Sequence, residues 1–362
     1  MSTLSTTFAD YLAAQAADAG AGAAVCVWQN GQEMLHLCGG GDGRGGAWSP
    51  DTLVPVYSAT KAASAACLLL ALYDCCQTPD LEVGALWANF PLPHATIGQL
   101  LSHQCGLAAL DTPAPIDDLE ACRAAIEATR PAWQPPQHGY HPHTFGPMVD
   151  ILMTELTGQR VSDFWEERVR RPLALPFHIG HLPADAAAQV AALEYARRRA
   201  PLPAIPFFRA FFDPQSPVHS AFHSILGPDS PQEMSQPDAW QIGCPAKGGV
   251  ASARGLAQFY QALAGLLPQS PFPTEVYDHL RTQQCSGFDL TLQEETAFTN
   301  GAMCEPAALF GQGGFGHAGA GGCHAFFEPQ SGRSFAFVMN RMAAGALPPD
   351  PVRAMVAAMA EL

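Results

Sequence analysis

Basic residues are scarce in this 362-residue chain: 18 Lys and Arg stand against 33 Asp and Glu, a formal net charge of −15. That deficit excludes the positive surface with which proteins hold nucleic acid or anionic membrane, and it disfavours polyanionic substrates. Long apolar runs are missing as well. Hydrophobic residues make up 48% of the chain, yet no run approaches the ~18 residues of a membrane span. The first 25 residues carry no Lys or Arg, and Asp10 and Asp18 interrupt them. A secretory leader has the opposite pattern, so the chain as given is expected to be cytoplasmic. No C-x-x-C pair occurs among the 11 cysteines, an odd number. They read as reduced, mostly buried thiols, not as a disulfide framework. No G-x-x-x-x-G-K-[ST] phosphate loop is present, and Gly39 to Gly46 reads as a flexible connection. Gly20-Ala21-Gly22 precedes a strand, the wrong order for a dinucleotide fingerprint.

What is present is a long chain with a large core and helix and strand signals in separate regions. Thr6 to Ala17 is helix-like. Ala23–Gln29 and Gln32–Cys38 flank Asn30-Gly31, a strong hairpin signal. Helical patterns then run to about Arg199, at Ala62–Tyr73, Ile97–Ser102, Asp117–Ala128, Phe145–Leu156 and Val161–Arg171. Residues 200–245 are dense in proline and phenylalanine (Pro201, Pro203, Pro206, Phe207, Phe208, Phe211, Phe212, Pro214, Pro217) and too broken for long elements. Two readings stay open for this stretch: a packed irregular wall, or an apolar lid over a substrate pocket. Strand character returns at Gly322–Glu328 and Arg333–Asn340 around Pro329-Gln330-Ser331-Gly332, and Pro351–Leu362 closes the chain as a helix. Strands at both ends with helices between predict an α+β fold: one antiparallel sheet built from the two termini and flanked by helices. Residues 1–65 with 245–362 would form the sheet domain, and 66–244 an inserted, mainly helical domain with the lid-like stretch 200–244.

The chemistry-bearing residues begin with Ser58-Ala59-Thr60-Lys61. An extended, β-branched segment precedes it and an Ala/Leu-rich helix follows. One helical turn places Ser58 and Lys61 on the same face, with free N–H groups favouring negative charge near the serine oxygen. A desolvated lysine amine there can take the serine's proton. Tyr140, at a loop-to-helix junction, is a candidate second proton carrier. Phe315-Gly316-His317-Ala318-Gly319-Ala320-Gly321-Gly322 could let a substrate approach a strand edge, with N–H groups of Ser58 and Ala320 converging on an oxyanion. Plainer readings exist for each: a capped surface helix, a structural tyrosine, a glycine-rich turn.

Together these segments resemble the serine β-lactamase-related family, which includes class C β-lactamases, penicillin-binding D,D-peptidases and family VIII carboxylesterases. Ile97-Gly98-Gln99-Leu100-Leu101-Ser102-His103-Gln104-Cys105-Gly106-Leu107 is similar to its T-x-x-x-L-L-S-H-x-S-G-L stretch. Lys247-Gly248-Gly249-Val250-Ala251-Ser252 is similar to its G-G-x-x-S helix start, and Thr157-Gly158 followed by Arg171-Pro172-Leu173 fits as well. The resemblance spans nearly the whole chain. It implies a transpeptidase-like fold, Ser58 as acylated nucleophile, Lys61 as its proton acceptor and Tyr140 as general acid/base. His317 and Gly319 would line the substrate strand, Ala320 would complete the oxyanion hole, and no metal or organic cofactor is implied. Two departures stand out. Tyr140-His141-Pro142 lacks the asparagine of the Tyr-x-Asn motif, so His141 either orders the loop or contacts substrate. His317-Ala318-Gly319 replaces Lys-Thr/Ser-Gly, whose ammonium and hydroxyl grip a drug's carboxylate. Losing those donors removes about 1.5–3 kcal/mol per charged hydrogen bond, which favours a neutral, apolar ester over a β-lactam. D-amino-acid peptidase or amidase action and acyl transfer to an alcohol are the alternatives, and a non-catalytic binding protein the remaining one. The partner expected is a small ester or amide substrate. His138, His141 and His143 lack a thiolate or carboxylate at ligand spacing, which argues against zinc. His103, His178 and His181 read as structural, and Lys247 as a surface residue.

Overall fold

The computed structural model describes residues 2–196, 206–345 and 347–362. Ser2 caps the first helix, α1 (Thr3–Ala13), its hydroxyl accepting from the Ser5 N–H. This cap starts the helix earlier than Thr6 and buries Leu4 and Phe8. Strands β1 (Gly22–Gln29) and β2 (Gln32–Gly40) meet at Asn30-Gly31, whose φ values of +50° and +79° are those of a two-residue hairpin turn.

Six further strands come from the C-terminal part: β3 (Cys285–Phe288), β4 (Glu295–Phe298), β5 (Met303–Glu305), β6 (Phe315–Ala318), β7 (His324–Glu328) and β8 (Arg333–Met339). The resulting eight-stranded sheet has the order β2-β1-β8-β7-β6-β5-β4-β3, antiparallel throughout. The two termini meet where β1 pairs with β8, from Ala23 opposite Met339 to Gln29 opposite Arg333. The mixed, antiparallel architecture is the one expected. Strands β3 to β5 escaped the sequence reading because they are three or four residues long and show no sustained alternation.

Helix α2 (Lys61–Asp74) is buried at every position from Lys61 to Leu72, as an Ala/Leu-rich rod with no polar stripe must be. Helix α3 (Phe145–Thr157) packs beside it and ends at Gly158 in the left-handed conformation. Helix α4 (Ala253–Leu263) is capped by Ser252 and lies against β1 and β8. Its buried Gln261 accepts from the Gly31 N–H and donates to Gly332 O, tying both hairpin turns to one amide. Helix α5 (Asp350–Met359) packs with α1. A three-stranded sheet of Val54–Pro55, Gly249–Ala251 and Phe177–Ile179 underlies the start of α2.

The Pro/Phe-rich stretch forms four short helices, Pro206–Phe211, Pro217–His223, Pro231–Met234 and Pro237–Ile242, each with proline at its first position. Pro201 and Pro203 lie outside the described residues. Phe207, Phe208, Phe211 and Phe222 pack ring on ring. Among the described residues no helix is long and apolar enough to cross a membrane.

Candidate active site

The strand Val54–Pro55 delivers the chain into a tight turn, Tyr57–Thr60, and α2 follows directly. Tyr57 takes φ +48°, an uncommon conformation for a bulky residue and a strain of about 1–2 kcal/mol. The turn is pinned around it. Val56 N–H donates to Gly249 O at 2.9 Å, the Thr60 hydroxyl donates to Tyr57 O at 2.5 Å, and Gly249 N–H donates to that hydroxyl at 2.9 Å. Ser58 is left half-buried at the tip.

Lys61, one turn on, is wholly buried. Its Nζ lies 3.1 Å from Ser58 Oγ, 2.8 Å from Pro142 O and 2.9 Å from Ala246 O. Burial holds its pKa well below the ordinary lysine value, and the charge on Lys247 pushes the same way. As an ammonium it donates to all three oxygens. As a neutral amine its two N–H groups serve the two carbonyls and the lone pair faces the serine hydroxyl.

Tyr140 brings its ring to 4.9 Å from Lys61 Nζ, and its hydroxyl lies on the Ser58 side of the site. Burial raises the phenol's pKa, which keeps the proton on it. The Tyr140 main chain is held from far away in sequence. Its N–H donates to both carboxylate oxygens of Asp289, at 3.0 and 3.2 Å. Asp289 also accepts from the Thr291 and Leu292 N–H groups and from the Thr296 hydroxyl. The sequence reading missed Asp289. Its local signal was an Asp-x-Thr turn, which says nothing of a tyrosine 149 residues away.

Strand β6 carries the other candidates. His317 is buried, with its ring 5.8 Å from that of Tyr140. Its Nδ1 donates to Ala318 O at 2.7 Å, so the neutral ring presents a lone pair at Nε2, which has no partner among the described residues. Burial and the Lys61 charge lower the His317 pKa to about 3. Gly319 passes so close to the segment ahead of Ser58 that a Cβ there would lie 2.2 Å from Val56 O. This approach sets Ala320, the next residue, on the side of the sheet edge that meets the Tyr57–Thr60 turn. The N–H groups of Ser58 and Ala320 donate to no acceptor among the described residues, as an oxyanion site requires. The ladder between β5 and β6 stops at Gly316, leaving the outer edge of His317–Ala320 without a strand partner.

The three clustered histidines diverge. His138 meets the Thr296 hydroxyl at 3.0 Å, and His143 Nε2 lies 3.3 Å from Asp229. His141 accepts from Leu107 N–H through Nε2 and donates to Gly139 O through Nδ1. Both its nitrogens are thus spent on main chain. These contacts are the ones a loop-ordering role for His141 requires. His103 accepts from the His141 N–H and stacks on that ring. Lys247 is not on the surface: it is 3% exposed, and its ammonium donates to Asp229 at 2.8 Å. Among the described residues one mixed ligand trio occurs, Cys26–Glu33–His36, and there the Arg254 guanidinium already donates to Glu33 at 2.8 Å.

The sequence matches the Beta-lactamase family over residues 8–358. It is 28% identical over 345 residues to the esterase/beta-lactamase LipL of Mycobacterium tuberculosis, covering 89% of this chain and 77% of that protein. Its fold superposes on a penicillin-binding protein homologue from Caulobacter crescentus with TM-score 0.85 at 28% identity, covering 99% of this chain and 97% of the other. A family VIII carboxylesterase superposes with TM-score 0.83 at 24% identity, covering 99% and 97% of the two chains. A transpeptidase-like sheet-and-helix fold matched end to end and a family match over nearly every residue lead to one assignment: the chain belongs to the Beta-lactamase family of serine hydrolases.

Proposed function

We propose that the protein hydrolyses neutral, apolar carboxylic esters through an acyl-enzyme on Ser58. The observation that carries this reading is the buried Lys61 amine, 3.1 Å from Ser58 Oγ and held by two main-chain carbonyls with no carboxylate beside it. Burial without a counter-charge disfavours the ammonium, which suits the amine to act as a base. Ser58 Oγ attacks the ester carbonyl carbon while its proton passes to Lys61 Nζ. The Ser58 and Ala320 N–H groups receive the developing oxyanion. Collapse breaks the bond to the alcohol oxygen, which takes a proton through the Tyr140 hydroxyl. Water then attacks the acyl carbon, returning its proton by the same groups and freeing Ser58 and the acid.

The preference for a neutral ester comes from β6. A neutral imidazole at His317 and a methyl at Ala318 offer no charged donor to a substrate carboxylate. The net charge of −15 repels anions further. A second reading, β-lactam hydrolysis, draws on the relative LipL, whose name carries both activities. A fluorophosphonate probe should label folded protein at Ser58, and p-nitrophenyl esters should turn over faster than a chromogenic cephalosporin. No Ser58 adduct would sink the mechanism, and faster cephalosporin turnover would overturn the ester preference. Tyr140→Phe should slow turnover by about 10²–10⁴-fold, the usual worth of a general acid–base group. Full activity in that variant would remove the phenol from the mechanism.

A further inference from the structure

We infer that Asp229, on the Pro/Phe-rich segment, is a positioning residue that clamps three parts of the candidate active site together; this rests on the roles of Ser58 and Lys61 proposed above. Three side chains converge on it. The Tyr57 hydroxyl donates to its main-chain carbonyl at 3.1 Å. Lys247 Nζ donates to its Oδ1 at 2.8 Å, and His143 Nε2 lies 3.3 Å from the same oxygen. Each of the three adjoins a working atom in sequence. Tyr57 precedes Ser58. His143 follows Pro142 and Lys247 follows Ala246, and the carbonyls of Pro142 and Ala246 are the two that hold Lys61 Nζ.

The peptide unit makes this adjacency mechanical. The carbonyl of one residue and the N–H of the next lie in one rigid plane. Anchoring His143 and Lys247 therefore fixes the directions of the Pro142 and Ala246 carbonyls, and with them the orientation of the amine toward Ser58. Anchoring Tyr57 holds a residue at φ +48°, a conformation that persists only where its surroundings over-determine it. The same plane carries the Ser58 N–H, one of the two oxyanion donors. Phe222 packs edge-on to His143 with ring centroids 5.9 Å apart, so the phenylalanine wall and the clamp are one unit.

Among the described residues, Asp229 is the carboxylate paired with Lys247, which is 3% exposed. A buried ammonium without a carboxylate is strongly unfavourable. Two variants separate positioning from mere packing. Tyr57→Phe deletes one hydroxyl and leaves both charges in place. The double variant Asp229→Asn with Lys247→Met removes both charges together, so no unpaired ammonium stays buried.

Once a fluorophosphonate has been shown to label Ser58 in one sample of wild-type protein, steady-state kinetics of unlabelled protein on a p-nitrophenyl ester give the test. Tyr57→Phe should lower kcat about tenfold and the double variant about a hundredfold, the scale expected when a reacting group is displaced by about 1 Å. KM and Tm should stay near their wild-type values. Wild-type kcat in both variants, or a loss that merely follows Tm, overturns the inference while leaving the Ser58 mechanism standing. If the double variant loses its native circular dichroism, Tyr57→Phe decides alone, and undiminished kcat there overturns the clamp. Absence of a Ser58 adduct on wild-type protein overturns the mechanism and the clamp together.

Discussion

Acidification from pH 7 to pH 5 should remove about 6 kcal/mol of native stability, through three imidazoles. His141, His317 and His324 are wholly enclosed, and burial lowers their pKa values to about 3, about 3 and about 4. Each is hydrogen-bonded to a main-chain carbonyl, of Gly139, Ala318 and Leu309 respectively, with no carboxylate beside it to compensate a charge. In the unfolded chain a histidine titrates near 6.5. Below that value the unfolded state binds protons that the native state refuses, so the stability present above pH 6.5 is lost progressively as pH falls toward 3. At pH 5, about 1.5 units below the unfolded pKa, each group contributes a loss of about 2 kcal/mol at 1.36 kcal/mol per unit. His103, His143 and His178 are lowered as well and act in the same direction. Against a typical total of about 5–15 kcal/mol, the native state should be close to collapse at pH 5. Urea titrations at pH 7, 6 and 5 should show the midpoint falling with an unchanged slope. His324→Gln, which keeps a donor for Leu309 O, should recover about a third of the loss. Stabilities at pH 7 and pH 5 that agree within about 1 kcal/mol would refute the claim that these rings are buried neutral.

Two further perturbations follow from the site. Asp289→Asn turns one acceptor oxygen beside the Tyr140 N–H and Thr296 into a donor and removes the charge that holds four donors. A loss of about 2–3 kcal/mol in stability is expected, with lower kcat, checked by chemical denaturation and ester kinetics; wild-type values in both would deny Asp289 any part in holding Tyr140. Gly319→Ala forces a methyl against Val56 O, for which overpacking costs about 1–3 kcal/mol. Fluorophosphonate labelling of that variant should slow together with a lower Tm, and wild-type labelling would mean that β6 need not approach the serine so closely.

Local chemistry made much of this molecule legible. Asn30-Gly31 announced its hairpin through left-handed φ, and the Ala/Leu run after Lys61 announced a buried helix. Ser58, Lys61, Tyr140 and His317, singled out from three separate segments, lie within a few side chains of each other. What escaped was long-range pairing. Lys247 looks like any surface lysine until Asp229, 18 residues upstream, is folded onto it. Asp289 reads as a turn residue until β3 and β4 carry it beneath the Tyr140 loop. His141 carries no local sign that both its nitrogens belong to main chain. In each case the deciding contact is made across the chain, where periodicity and spacing carry no signal.

The pairing of β1 with β8 joins Ala23 to Met339, and this sets a schedule for the newborn protein. The first hairpin leaves the ribosome with one long edge of Ala, Val, Cys and Trp unpaired. At about 5–20 residues per second, its partner strand follows only after roughly 15–60 s. During that interval the exposed edge is a template for pairing with another chain. Ser58 and Lys61 have already been synthesised, yet the segment that brings Ala320 to them has not. The connectivity therefore keeps β1 without its β8 partner, and Ser58 without the strand that reaches it, until the last strands emerge.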